Sequence, residues 1–373
     1  GALAASAPVR FRYQYLAGGV NTGNGWAGWN PGGTFVTRYV RESRAAGLIP
    51  VLTYYQIRQS RPGADADETQ GVLANLRDPA VMRAWFGDLA LAMRRARAAG
   101  GTVVLHVEPD MWGHLQGAAR RDDPRTVRVA VAATGLPVLR GLPDTAAGLA
   151  RAMLRLRDRT APRLVLADHM SVWGTRVDVG LQDPAPAAVD ALARRSARFH
   201  RALGPFDVTF TDVADRDAGF RRVVLGDGGR SWWTPDDFAR SRRFLAGFVR
   251  GVGRRVVVWQ VPLGNTLMRA MDDTWGHFRD NRVQTWLGEG SGPALQGLRD
   301  AGVAALLFGG GADGTTCACD ARHDGVTDPA GPGRPSVSAD DDGGYFRQRV
   351  RAYAAAGPLP LAPAAQARGP TRR

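Results

Sequence analysis

Three ionisable residues at alternate positions, His106, Glu108 and Asp110, close an apolar run that begins at Thr102 (TVVLHVEPD). Buried parallel strands read as short apolar runs bounded by turn signals. Side chains alternate along a strand, which predicts His106, Glu108 and Asp110 on one face and Val103, Leu105 and Val107 on the other. An apolar face packs on helices, and an ionisable face looks into a cavity. Charges buried there lose hydration, so such a trio is expected where protons are moved. Two carboxylates two residues apart suit general acid and base work, because each raises the other's pKa. A purely structural acid cluster is the competing reading.

The elements needed to position this trio recur along the whole chain. Candidate strands are Phe11–Ala17, Ile49–Gln56, Val103–Glu108, Leu164–His169, Val208–Asp212, Val256–Val261 and Val303–Phe308. Between them, apolar spacing near 3.6 predicts helices over Thr34–Ala46, Pro79–Ala99, Thr145–Arg159, Ala187–Leu203, Pro235–Val252 and Pro293–Ala301, with a last one over Tyr345–Ala355. Strands alternating with helices imply a parallel sheet with helical crossovers. The fold class is therefore α/β, a distorted TIM-like (β/α) barrel of seven or eight parallel strands, with no eighth strand evident. Residues 1–357 read as a single catalytic domain and the Pro/Ala-rich Pro358–Arg373 as a flexible tail.

Functional groups of such folds sit past the carboxyl ends of the strands, and polar residues collect there. They are Tyr54, Tyr55 and Gln56, with Asp65 and Asp67 beyond, after the second strand; Glu108, Asp110, Trp112 and His114 after the third; and Asp168, His169 and Trp173 after the fourth. Asp212 and Asp215 follow the fifth, Gln260 and Asn265 the sixth, and the glycine-rich Gly309–Thr316, containing Asp313, the seventh. Any one of these suits a cap or a turn; their recurrence predicts a polar cleft. Trp26, Trp29, Trp112, Trp173, Trp232, Trp233 and Trp275 fall in loops or just after strands, whereas Trp85 and Trp259 interrupt apolar runs as core residues do. Indoles along a cleft stack on the apolar faces of sugar rings, so the ligand class expected is carbohydrate. Tyr54, Gln56, His106, Trp112, Asp168, His169, Trp173, Asp212, Gln260 and Trp275 are the expected substrate contacts.

Composition excludes other classes. The formal charge is +14, yet all 49 basic residues are arginine, a compositional bias spread over amphipathic helix faces rather than a binding patch. No nucleic-acid motif accompanies them, and attraction to an anionic polysaccharide is the better use of the charge. No run of about 20 apolar residues exists to span a membrane. The small-residue start, Gly1–Pro8, resembles the end of a signal region or a mature terminus after processing, and suggests a secreted protein. Cys317 and Cys319 are awkwardly close for a disulfide and read as free thiols, and His323 gives only weak support for zinc. Asp313, Asp320 and Asp324, or the run Asp340–Asp342, suit calcium by oxygen content but lack EF-hand spacing; no metal and no cofactor is expected. The Gly309–Gly311 run lacks the Lys-Ser/Thr of a P-loop.

Val107-Glu-Pro-Asp110 after an apolar strand resembles the Glu-Pro-Asp strand end of family 6 glycoside hydrolases, the cellobiohydrolase and endoglucanase family. Gly309-Gly-Gly-Ala-Asp-Gly-Thr315 is similar to that family's Gly-Gly-x-x-Asp-Gly-Thr loop, and Ala167-Asp-His169 with Trp173 is loosely similar to its Asp-Ala-Gly-His strand end. The resemblance covers the order of elements from Ile49 to Thr315 and implies a distorted seven-stranded barrel. It departs at the second strand, where Tyr54-Tyr-Gln56 replaces an Asp-Arg-Asp-Cys loop, and at Phe308 or Gly309, which replaces a lysine. Both departures point to a different substrate.

Carried over, the resemblance makes Asp110 the general acid and Asp313 the base of an inverting hydrolase, with Glu108 opposing a second charge beside the acid. Such an enzyme needs its two carboxyls roughly 6.5–9.5 Å apart. The expected function is thus a secreted glycoside hydrolase acting on a β-glucan-like polysaccharide. The alternatives are a non-catalytic carbohydrate-binding protein, motivated by the missing second-strand motif, and a cell-surface scaffold protein with an arginine-rich exterior.

Overall fold

Local sequence fixes the longest helix first. Asp78 caps it, its carboxylate accepting from Ala80 N and Val81 N, and Pro79 occupies the first helical position, where a missing N–H is harmless. The helix (Pro79–Ala99) buries Val81, Met82, Trp85, Phe86, Leu89, Ala92, Met93 and Ala96 at three- and four-residue intervals. Thr234 and Asp237 form a reciprocal capping box at the start of the helix Pro235–Val252.

The computed structural model describes residues 7–321, 323–325, 328 and 332–361. Its seven strands are β1 (Phe11–Leu16), β2 (Ile49–Tyr54), β3 (Val104–Val107), β4 (Val165–His169), β5 (Val208–Asp212), β6 (Val256–Val261) and β7 (Val303–Phe308). Helices lie between and after them: α1 (Thr34–Ala45), α2 (Glu68–Arg77), α3 (Pro79–Ala99), α4 (Pro109–Ala118), α5 (Ala146–Thr160), α6 (Pro186–Leu203), α7 (Ala218–Val223), α8 (Pro235–Val252), α9 (Arg282–Leu287), α10 (Pro293–Asp300) and α11 (Tyr345–Ala355). This is the expected α/β class, a distorted TIM-like (β/α) barrel fold with seven strands among the described residues. No helix among them is long and apolar enough to cross a membrane. Most of the Gly1–Pro8 segment, and all of the expected Pro358–Arg373 tail beyond Leu361, lie outside the described residues.

The chain divides into two compact units. The first comprises Arg10–Val177 and Leu192–Thr211; the second contains Asp178–Ala191 and the described residues from Asp212 onward. In the first, β1 to β5 pair in parallel and in chain order. Leu52 and Tyr54 of β2, Leu105 and Val107 of β3 and Leu166 of β4 join the buried face of α3 in one core. Thr53 and His106 are paired across β2 and β3 and, by alternation, face the other way. In the second unit β6 and β7 pair in parallel, and Leu263, Met268, Met271 and Val283 pack with Tyr345, Phe346 and Val350 of α11.

The structure departs from the expected third strand. β3 stops at Val107, because Glu108 adopts a left-handed conformation (φ 52°) and Pro109 opens α4. Glu108 and Asp110 therefore leave the strand alternation, and only His106 keeps the predicted face.

Candidate functional site

In the first unit the loop after β2 and the turn into α4 are locked together by Glu108. Its carboxylate, 1% exposed, accepts from Gln56 N at 3.0 Å, Ile57 N at 3.1 Å and Trp85 Nε1 at 2.7 Å. Its own N–H donates to Tyr54 O. Burial nevertheless pushes the Glu108 carboxyl up to about 8, with a smaller push from Asp110, while its donors pull down. The oxygens of Glu108 are thus taken by protein groups, which makes it a brace for the β2 loop.

The brace positions Tyr55 and Asp110. Asp110 lies in the first turn of α4, half-buried, and Tyr55 makes a side-chain hydrogen bond to it. Burial first, then the Asp110 charge and that bond, raise the Tyr55 hydroxyl above its ordinary range, so it stays protonated and donates. Tyr15 meets the Tyr55 ring edge-on at 6.2 Å. One helical turn on, His114 Nδ1 pairs with Thr69 Oγ1 at 3.0 Å and Nε2 approaches Glu68 Oε1 at 3.4 Å. That imidazole holds the Glu68 carboxyl below its usual range. Trp173 lies 4.9 Å from the His114 ring and covers Gly113, where any Cβ would strike its indole and Ser171. The helix turn that carries Asp110 thus meets Tyr55 of the β2 loop and, one turn on at His114, Glu68 from the start of α2 and Trp173 from the segment after β4.

Several expected contacts lie elsewhere. Tyr54 is fully buried against α3, its hydroxyl 2.7 Å from Asp88 Oδ2. Asp168 faces the helices, held by His200 Nδ1 at 2.8 Å and Thr209 Oγ1 at 2.7 Å. Trp112 is buried, with its indole N–H on Val107 O, and Trp26 and Trp233 are buried as well. None of these can stack on a glycan as placed. Gln56 is a buried strut, donating from Nε2 to Leu16 O. His106 and His169 are buried and share one hydrogen bond, Nε2 to Nδ1 at 3.0 Å. Burial, then the His169 charge, pull the His106 pKa well below its ordinary value, so it stays neutral between Thr53 and His169.

In the second unit the β7 loop is built around glycines. Gly311 N donates to Asp215 O, and a Cβ on Gly311 would come within 2.6 Å of Gln260 Nε2. Gly314 (φ +80°) lies against the Trp275 indole too closely for any Cβ. Gly276 N donates to Gly314 O at 2.9 Å, fixing the β6 loop to the β7 loop. Asp313 is exposed between these two glycines, and the Trp275 indole is 40% exposed beside it in sequence-distant contact with Gly314. Gln260 is buried with φ 55°, and Asp212 ends β5.

The same unit corrects the cysteine reading. Cys317 and Cys319 are disulfide-bonded with a Cα separation of 5.0 Å, inside the range a disulfide spans. Among the described residues no group of three His, Cys, Asp or Glu could hold a metal. Asp340 pairs with Arg347 and Ser338, Asp341 accepts from Ala321 N, and Asp342 accepts from Gly344 N and Phe346 N at the start of α11. These acids organise a helix start.

Tyr55, Glu68 and His114 were not among the expected contacts. The Tyr54/Tyr55 choice was readable, because Tyr54 shares the Leu52 face of β2 and Tyr55 does not. Glu68 carried no such signal, since its partner is distant in sequence.

No family model and no curated protein matches this chain. Among solved structures, it is similar to one titled Ignisphaera aggregans GH53 catalytic domain, at 11% identity and TM-score 0.49, over 94% of this chain and 87% of that one. It is also similar to one titled Glycoside hydrolase-like protein, at 12% identity and TM-score 0.43, over 94% of this chain and 83% of that one.

Proposed function

We propose that the protein is a secreted glycoside hydrolase in which Asp110 is the general acid. The observation that carries this is the setting of Asp110. It is a half-buried carboxyl on a helix turn past a core strand, oriented by the Tyr55 hydroxyl, with His114 one turn on and Trp173 against that imidazole. Glu108, by contrast, has its oxygens occupied, so the two acids divide into a brace and a reactive group. Asp110 protonates the glycosidic oxygen as the C–O bond breaks. A water that loses its proton to the base attacks the anomeric carbon with inversion. Asp313, exposed between Gly311 and Gly314, is the candidate base, supported by the motif resemblance to family 6. Trp173 in the first unit and Trp275 in the second are each a candidate platform for a sugar ring.

A non-catalytic glycan-binding protein is the second reading, favoured by the segment Tyr54–Arg61, which contains no acid. The deciding experiment measures reducing ends released from plant, fungal and bacterial wall polysaccharides by wild type, Asp110→Asn and Asp313→Asn. A loss of roughly 10²-fold or more in Asp110→Asn with retained binding is expected for a general acid. Activity equal to wild type in that variant would remove Asp110 from the chemistry, and glycan binding without turnover by wild type would favour the second reading.

A further inference from the structure

The loops of the second unit that follow β5, β6 and β7 border an open cavity of about 470 Å³. Arg222 at the end of α7, Trp232 before α8, and Thr266, Met268, Met271 and Arg279 from the loop between β6 and α9 line it. Its charge is unbalanced. Arg222 reaches Asp273 Oδ2 at 2.6 Å and Arg279 Nη1 lies 3.7 Å from the same oxygen. Asp273 Oδ1 already accepts from Arg279 N at 2.9 Å, and Arg279 Nε donates to Met271 O at 2.8 Å. One carboxylate thus faces two guanidiniums, leaving one positive charge in excess at the cavity wall.

We propose that this cavity binds a carboxylate-bearing sugar unit of the substrate. The guanidiniums present planar forks that match a carboxylate. Trp232, Met268 and Met271 supply an apolar wall for the C–H face of a pyranose. Trp275 stands on the same loop after β6 as Thr266, Met268, Met271 and Arg279. The inference rests on the glycosidase reading and narrows its substrate to an acidic polysaccharide.

The test measures binding by calorimetry, independently of turnover. The purified chain is titrated with oligogalacturonate, its neutral methyl ester, a sulfated oligosaccharide and a neutral β-gluco-oligosaccharide. Oligogalacturonate is expected to bind tightest, and Arg222→Gln or Arg279→Gln to weaken it roughly tenfold while leaving the methyl ester unchanged. Asp273→Asn removes the competing carboxylate, and asparagine tolerates the positive φ of 65° at this position. It is expected to tighten oligogalacturonate binding severalfold, a gain that misfolding cannot produce. Equal binding of acid and ester with no response in Asp273→Asn would overturn the proposal, as would tighter binding of the sulfated sugar or no saccharide binding at all. Asp110-dependent hydrolysis of a neutral glycan in that case leaves the glycosidase reading standing. Acid-selective binding without any hydrolysis supports the cavity assignment and removes the enzyme.

Discussion

Replacing Glu108 with glutamine tests the brace that holds the β2 loop to α4. Burial lifts this carboxyl from an ordinary 4.5 to about 8. A carboxyl whose folded pKa lies above its unfolded value contributes stability that is fully present below about pH 4.5. That contribution is lost as pH rises through about 8, because the unfolded chain ionises first. At about 1.36 kcal/mol per pH unit the loss across that window amounts to about 5 kcal/mol. Glutamine never ionises and carries no such slope. At pH 5 the amide is expected to cost about 1 kcal/mol, because its NH₂ faces Ile57 N where Oε2 accepts at 3.2 Å. By pH 8 the variant should lead wild type by several kcal/mol. Urea unfolding followed by circular dichroism at intervals from pH 5 to 8 measures the difference, in which groups common to both proteins cancel. A difference that is flat, or that grows in wild type's favour with pH, would show that the three N–H donors keep Glu108 ionised.

Gly314→Ala places a methyl group inside the Trp275 indole and forces a side chain into φ +80°. Glycan affinity is expected to fall roughly tenfold as the platform tilts, for a loss of about 1–1.5 kcal/mol of ring contact, while the α3 core and its unfolding midpoint in urea stay unchanged. An unaltered affinity would take Trp275 out of the binding face. Leu89→Ala opens a cavity in the fully buried face of α3. It should cost about 2–5 kcal/mol in urea unfolding, and a cost under about 1 kcal/mol would mean that α3 repacks.

Sequence made the framework legible because parallel strands and their crossovers write strong signals. β5, β6 and β7 match their apolar runs residue for residue, and α3 and α8 begin at their Asp78-Pro79 and Thr234-Pro235 starts. The turn at Glu108 was misread because a strand pattern was carried through a proline, although Pro109 is a favoured first helical residue. Trp112 was misread for another reason. An isolated indole in a polar stretch looks exposed, and only tertiary packing against Phe206, 5.8 Å away, puts it inside. The side of the sheet on which Asp168 falls was readable from alternation with Leu166. Its partner His200 lies 32 residues on and was not. The positive cavity depends on Asp273 facing two arginines from different loops, a coincidence that no local pattern encodes.

The chain-order pairing of β1 through β5 bears on how the first unit comes into being. Each strand docks beside the one made just before it, so no strand waits for a partner from the far end of the polypeptide. β1 to β4 and the helices α1 to α5 belong to the continuous stretch Arg10–Val177. Growth of the sheet can therefore follow the ribosome, one crossover at a time, always at the edge opposite β1. The turn that presents Asp110 belongs to that early-emerging stretch, which would make its brace among the first long-range contacts of the nascent protein.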